Sequence, residues 1–320
     1  MSMKNRKILL GIIIFTLVII FGSISLFKIN KGDFITLDAF PIEICNNEDG
    51  IYFIGKIFNC DSTNTYNLYK FDKKDNTIKK IHLSELKENF VIKKIAPWNG
   101  ALYLIIAKAD EENQYEIWKI NDKEEVTFFY DLSEKINISV NDISSFCIDK
   151  NGINFIRCAT ETILINPVNE EIIRIPDISE DVSFESMAVG ENGNVYALFC
   201  KNVKSGGGYE VVEFSNGQMK GIFSGDLLPY NDIYSVLGTG NKEYDIFIKG
   251  SKSVFGFNKD KQKAEYISPL SLDEYQYTKS CFIDGEKLLI FGMNSKIENG
   301  KTVNYTRLVL IDLKKKETAK

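Results

Sequence analysis

Few residues in this 320-residue chain have types and spacing that could do chemistry. His82, in IKKIHL, is the only histidine, so neither a Ser–His–Asp triad nor a multi-histidine metal site can be assembled around it. No HExxH or GxSxG motif is present. Six cysteines (Cys45, Cys60, Cys147, Cys158, Cys200, Cys281) form no CxxC pair. They read mainly as small buried strand residues, with one disulfide as the alternative. A hairpin around Asp149–Gly152 would set Cys147 opposite Asn154 and Cys158 opposite Ile143, which keeps those two thiols apart. The DKNG of that hairpin lacks the spaced acidic ligands of a calcium loop and reads as a turn. The triple glycine Gly206–Gly208 leads straight into the strand-like YEVVEF, without the GK[ST] and helix of a phosphate-binding loop. It reads as a connection between two strands.

One constellation recurs, and it is acidic. Similar short segments, Leu83-Ser84-Glu85, Leu132-Ser133-Glu134, Ile178-Ser179-Glu180-Asp181 and Leu270-Ser271-Leu272-Asp273-Glu274, lie between groups of strands. A fifth, Asp226–Asp232, carries Asp226, Tyr230 and Asp232, and Tyr275 and Tyr277 follow Glu274. Carboxylates and tyrosines gathered on one rim would suit a cation, an amine-bearing ligand or a basic protein patch. The structural reading is that Ser before Glu or Asp caps a short turn, and capping alone explains the recurrence. No catalytic residue, metal ligand or cofactor is expected from these patterns.

The elements that would position these residues are strands. Runs of β-branched and aromatic residues are broken by Gly, Asn and Asp at regular intervals. A turn followed by a strand appears as NEDGIYFIG (47–55), PWNGALYLI (97–105), DKNGINFIR (149–157), GENGNVYALF (190–199), TGNKEYDIFI (239–248) and IDGEKLLIFG (283–292). A second element, apolar–x–apolar with a polar stop, follows each: NLYKFD, EIWKIN, TILINP, EVVEFS, SVFGFN and LVLID. The stop is Asp or Asn in five copies and Ser in one. A third element, such as NTIKKIHL or EEIIRIP, completes five of the units. With the run that leads into each turn, the unit holds four strands and repeats about every 47 residues, the pattern of a six-bladed β-propeller. The sixth unit lacks its fourth strand, while DFITLDAF (33–40) is a strand without a unit. Pairing the two closes the ring.

The first thirty residues differ from the rest. Lys4, Arg6 and Lys7 precede twenty uncharged residues, Ile8–Phe27, and Lys28 and Lys31 follow. A helix of that length spans roughly 30 Å, the thickness of a bilayer core. A cleaved signal peptide is the alternative, with Gly22, Ser23 and Ser25 as small residues, but the apolar run exceeds the usual signal core. The expected organisation is a cytoplasmic stub (1–7), a transmembrane signal anchor (8–27), a linker (28–32) and an extracytoplasmic propeller (33–320). From residue 29 onward, 35 basic residues face 44 acidic ones, a charge of −9 that disfavours nucleic acid as a partner.

The six units resemble propellers of the TolB-like and NHL groups, anchored to a bacterial membrane by an N-terminal helix. The resemblance covers 33–320 and is carried by the repeat alone, since no WD dipeptide, Asp-box or kelch double glycine is present. It implies a ligand- or protein-binding or sensing module. The alternatives are a carboxylate- or metal-dependent hydrolase or lyase working at the channel, and a structural subunit of an envelope complex. Removing the chain before Phe40 or after Lys301 is expected to unfold the whole ring. Loss of the cooperative thermal transition in either truncation would check this, and a truncated protein melting like the full one would contradict it.

Overall fold

The computed structural model describes residues 27–28, 36–37, 39–58, 64–75, 77–83, 86, 90–108, 114–133, 136, 143–177, 179, 181–201, 207–215, 217–225, 235–238, 243–250, 252–261, 263–270, 277–282, 287–298 and 301–313. Two short strands come first, β1 (Phe27–Lys28) and β2 (Thr36–Leu37). Blade 1 is β3 (Phe40–Asn47), β4 (Gly50–Phe58), β5 (Asn64–Asp72) and β6 (Thr77–Ile81). Blade 2 is β7 (Phe90–Trp98), β8 (Ala101–Lys108), β9 (Tyr115–Ile120) and β10 (Val126–Asp131). Blade 3 is β11 (Ile143–Ile148), β12 (Asn154–Cys158), β13 (Glu161–Asn166) and β14 (Glu171–Pro176). Blade 4 is β15 (Val182–Val189), β16 (Val195–Lys201), β17 (Tyr209–Ser215) and β18 (Gln218–Gly225). Blade 5 is β19 (Ser235–Gly238), β20 (Ile246–Lys249), β21 (Ser253–Asn258) and β22 (Lys263–Pro269). Blade 6 is β23 (Tyr277–Phe282), β24 (Lys287–Glu298) and β25 (Lys301–Asp312), with β2 as its outer strand. Each sheet is an antiparallel meander, and together they make the all-β six-bladed propeller that the repeat predicts.

The ring closes at blade 6. Thr36 pairs with Arg307 and Leu37 with Thr306, and the Thr306 hydroxyl donates to the Ala39 carbonyl at 3.1 Å. Of DFITLDAF, the described residues Thr36 and Leu37 form the closing strand, and Phe40 belongs to β3. Residues 1–26, which include the expected stub and nearly all of the expected anchor, lie outside the described residues. Phe27 and Lys28, read as the end of the anchor and the start of the linker, pair instead with Ile78 and Thr77 as a fifth strand on blade 1. Among the described residues no helix is long and apolar enough to cross a membrane.

The core lies between blades. Its buried residues fall into six clusters, each shared by two neighbouring blades, and the sixth joins blade 6 to blade 1. At that seam Phe53 meets Phe291 at 4.8 Å between ring centroids and stacks on Tyr69 at 5.1 Å. A second strand has neighbours over both faces, so it is enclosed: β12 and β20 are buried at every residue. An outer strand such as β14 is exposed or half-buried at every residue.

The recurrent polar stop has a local cause. The Asp72 carboxylate accepts from the Lys74 and Asp75 amides at 2.7 and 3.2 Å, and the Asn121 side chain accepts from Lys123 and Glu125 at 3.0 and 2.9 Å. Asn166 and Asn258 do the same for Val168 and Lys261. These bonds satisfy the amides of the turn into the outer strand, as Asp and Asn do best. The Asp149 side chain likewise accepts from the Asn151 and Ile153 amides at 2.9 Å, so DKNG is a turn. Its register corrects one expectation: Cys147 faces Phe155, and Ile148 faces Asn154. A bulge between Ile143 and Ser145 absorbs the one-residue difference, and Cys158 still faces Ile143.

Turns joining first to second strands also bind blade to blade. Asn47 donates to the Gly100 carbonyl at 3.2 Å, the Lys150 amide to the Gly193 carbonyl at 2.9 Å and the Glu191 amide to the Asp245 carbonyl at 2.9 Å. Gly100 and Gly152 have φ of +72° and +80°, but only at Gly152 would a Cβ collide, with the Trp98 ring at 2.8 Å. Gly100→Ala should therefore cost about 1–2 kcal/mol for the left-handed backbone alone. Gly152→Ala should cost more, since it also separates blades 2 and 3. Urea unfolding of both variants reads the difference, and equal losses would show that the turn contact carries no energy.

Candidate functional site

The first strands of all six blades enclose a central cavity of about 340 Å³. First strands differ from second strands in having one edge open to the channel, so their ladders tolerate irregularity. Four of them bulge at matching places, between Pro41 and Glu43, Ile92 and Lys94, Ile143 and Ser145, and Phe184 and Ser186. The residue after each bulge is polar. Glu43 and Ser145 line the cavity, Lys94 forms an ion pair with Glu43 across the blade 1–2 seam, and the Ser186 hydroxyl accepts from the Val236 amide at 2.6 Å.

The lining is mixed. Blades 1, 3 and 6 supply the polar side chains Glu43, Asn46, Ser145 and Ser280, beside Ile44 and Phe146. Blades 2, 4 and 5 supply apolar residues, among them Ile95, Met187, Val236 and Leu237. Glu43 is the only charged side chain among the described lining residues. Cys147 also lines the cavity, and burial, with Glu43 adding, pushes its thiol up to about 12, so it is inert as a nucleophile at neutral pH. Burial and the charge of Lys94 both lower the pKa of Lys93, the extra residue of the β7 bulge. Burial raises that of Glu185, the extra residue of the β15 bulge.

The acidic links are placed unevenly. Asp181 is exposed just before β15, and Tyr277 opens β23 opposite Met293. Glu85, Glu134, Glu180, Asp226, Tyr230, Asp232, Asp273, Glu274 and Tyr275 lie outside the described residues. The link serines that are described bond backbone: Ser133 Oγ accepts from the Tyr115 amide, 18 residues earlier, at 2.9 Å, and Ser179 Oγ accepts from the Asp181 amide at 3.3 Å. Gly207 and Gly208, with φ of +65° and +105°, return the chain from the loop between β16 and β17.

The arginines of the propeller hold structure together. Arg157 is 1% exposed and paired bidentately with Asp177; it also donates to the Ala159 carbonyl at 2.6 Å and lies over the Phe184 ring at 4.8 Å. It ties blade 3 to the link entering blade 4. Arg174 pairs with Glu161 on the outside of blade 3, and Arg307 packs on Tyr305 in blade 6. His82 is exposed after β6. Cys45, Cys147, Cys158 and Cys200 are thiols.

On the opposite face, among the first-to-second turns, two polar networks brace the blades. Glu213, 2% exposed, accepts Lys259 Nζ at 2.8 and 2.6 Å, Asn194 Nδ2 at 2.7 Å and the Tyr196 hydroxyl at 3.3 Å. Burial alone would push this carboxyl up, but Lys259 and the amide outweigh it and hold the pKa below the usual 4.5. In blade 1, Asp49 takes Lys70 and the Tyr52 hydroxyl, with the same balance and the same direction. Above the blade 4–5 network lies a surface depression of about 310 Å³, walled by Glu191, Glu243, Asp245 and Asp260. Sequence reasoning placed the acidic gathering on the link face and missed this one. It also missed Glu43, whose signal was a charge inside the otherwise apolar run FPIEIC.

The fold and cavity define an all-β six-bladed propeller with a small central chamber. No family model matches the chain, and no curated protein does. Solved structures do. An oligogalacturonate lyase from Vibrio parahaemolyticus is similar at a TM-score of 0.50 and 8% identity, covering 89% of this chain and 93% of its own. A luciferin-regenerating enzyme is similar at 0.50 and 8%, covering 89% and 95%. An oligogalacturonate lyase in complex with manganese is similar at 0.50 and 9%, covering 89% and 98%. At such identity the likeness is one of fold.

Because the Glu213 carboxyl is held below its unfolded value, its ionisation adds stability above about pH 4.5, and this is lost as pH falls through the folded value. Glu213→Gln is expected to cost about 2 kcal/mol at pH 7. The gap from the parent should close on acidification. Melting curves from pH 7 to 3 test this, and a constant gap would mean the charge does not matter.

Proposed function

We propose that the chain is a membrane-tethered, extracytoplasmic propeller that binds a small ligand in its central cavity and serves as a binding or sensing module. The observation that carries this reading is the mixed lining of the chamber, a few polar side chains set among apolar walls. Cavities of a few hundred Å³ with mostly apolar walls and a few convergent polar groups are the usual form of ligand sites. Lys94, outside the lining, neutralises Glu43, so the polar groups offered are a paired carboxylate, two hydroxyls and an amide. That chemistry favours a neutral, hydroxyl- or amide-bearing molecule with one apolar face over a free ion.

A hydrolase or lyase of the two-carboxylate type needs a second acid or base in reach of the first. Among the described lining residues Glu43 has no such companion, and it is engaged by Lys94. The solved relatives named as a lyase and a luciferin-regenerating enzyme share the fold, and that likeness supplies no residue here. The binding reading therefore stands first.

Thermal melting of the full chain against neutral sugars, small amides and amines tests it. A cavity ligand should raise stability by about 2.7 kcal/mol at a hundredfold excess over Kd. Ser145→Phe, which intrudes on the chamber, should abolish the shift while melting like the parent in buffer, and Glu43→Gln should weaken binding about tenfold through the lost charge-assisted bond. Neutralising Asp181, Asp273 and Glu274 together should leave it unchanged. A shift lost in that triple variant and kept in Ser145→Phe would move the site from the cavity to the rim.

A further inference from the structure

The chain's own connectivity says which side of the propeller a tether must hold. The apolar run ends at Phe27, and Phe27–Lys28 already pair with Ile78 and Thr77 on the outer strand of blade 1. Nine residues after Phe27, Thr36 is locked onto Arg307 on the outer side of blade 6. Even without the first pairing, nine extended residues reach only roughly 30 Å. A domain of this length is roughly 45–50 Å across by its expected radius of gyration. The chain leaving a bilayer after Phe27 thus has no slack to carry the propeller round.

We propose that the seam between blades 6 and 1 is the membrane-facing side, resting against the lipid headgroups, with blades 3 and 4 turned away from the bilayer. The occupant of this surface is the leaflet from which residues 8–27 emerge, and the inference rests on the tether in the function proposed above. The same side carries exposed apolar groups suited to that boundary. Ile297, 78% exposed, lies on the part of β24 that outruns β23, and Leu310, 43% exposed, lies on β25 beyond its two-residue pairing with β2. The acidic depression between blades 4 and 5 and the return loop at Gly207–Gly208 fall toward the far side.

Lys80 on β6 and Lys220 on β18 are exposed at matching outer-strand places on opposite blades. Full-length protein bearing a bioorthogonal donor fluorophore at one or the other is reconstituted in vesicles that carry an acceptor lipid. Strong energy transfer from Lys80 and near-background transfer from Lys220 is the expected result. Equal transfer, or stronger transfer from Lys220, overturns the orientation while leaving the tether intact. If both labels wash off the vesicles with the protein, the tether itself fails, and this inference falls with it.

Discussion

Everything in this molecule depends on one requirement: each blade is apolar on both faces and can be covered only by its neighbours. A four-stranded sheet of this kind is not stable alone, because β12 or β20 would expose residues that are buried throughout in the ring. Six blades in an open row would still leave two uncovered faces. Closure removes both at once, and the cluster joining Phe53 and Phe71 to Leu289 and Phe291 is where that happens. The two residue pairs of β2 on β25 are a small contact in themselves. Their importance lies in keeping the two ends of the ring together, so that six apolar seams form instead of five.

Polar groups are added to this frame in proportion to how well their burial is compensated. Arg157 is enclosed, yet Asp177 meets its guanidinium in a fork and the Ala159 carbonyl takes a further bond. Glu213 is enclosed as well, and three donors reach it. Both lie where one blade passes to the next, and the apolar packing there is non-directional. Directional bonds at those places fix how far each blade rotates against its neighbour, which burial alone leaves loose.

Most of this frame was legible in the chain because it rests on local rules repeated six times. The alternation NLYKFD or EIWKIN and its Asp or Asn stop have one cause each, strand period and turn capping, and both act within a few residues. The missing fourth strand of the last unit was legible by counting. The register at Cys147 was not, because the bulge at Ile143–Ser145 depends on pairing and leaves no mark in residue types. Glu43 was obscured for the same reason. An isolated acid in a short apolar run reads as noise until its partner, Lys94, is placed 51 residues away on the adjoining strand. The acidic links drew attention by recurrence, yet the described serines serve structure differently, Ser179 by capping the turn at Asp181 and Ser133 by bonding the Tyr115 backbone.

The contrast between first and second strands explains why a site can exist at all in so regular a fold. An inner strand is paired on both edges and covered on both faces, so a polar side chain there must find its partners within the blade or at the seam, as Arg157 does on the second strand of blade 3 and Glu213 on the third strand of blade 4. A first strand has one unpaired edge along the channel, and a bulge there breaks no ladder on that side. Four blades use this freedom at the same level, and the residues that follow the bulges are Glu43, Lys94, Ser145 and Ser186. Two of the four spend it on holding blades together, Lys94 through Glu43 and Ser186 through the Val236 amide. Glu43 and Ser145 also line the chamber, among apolar residues from blades 2, 4 and 5. The chemistry of the cavity is thus set where the repeat is least constrained, while the stability of the ring is set where it is most constrained. A change at Ser145 can therefore alter what the chamber accepts without opening a seam, whereas a change at Glu43 also gives up the pair with Lys94 that joins blades 1 and 2.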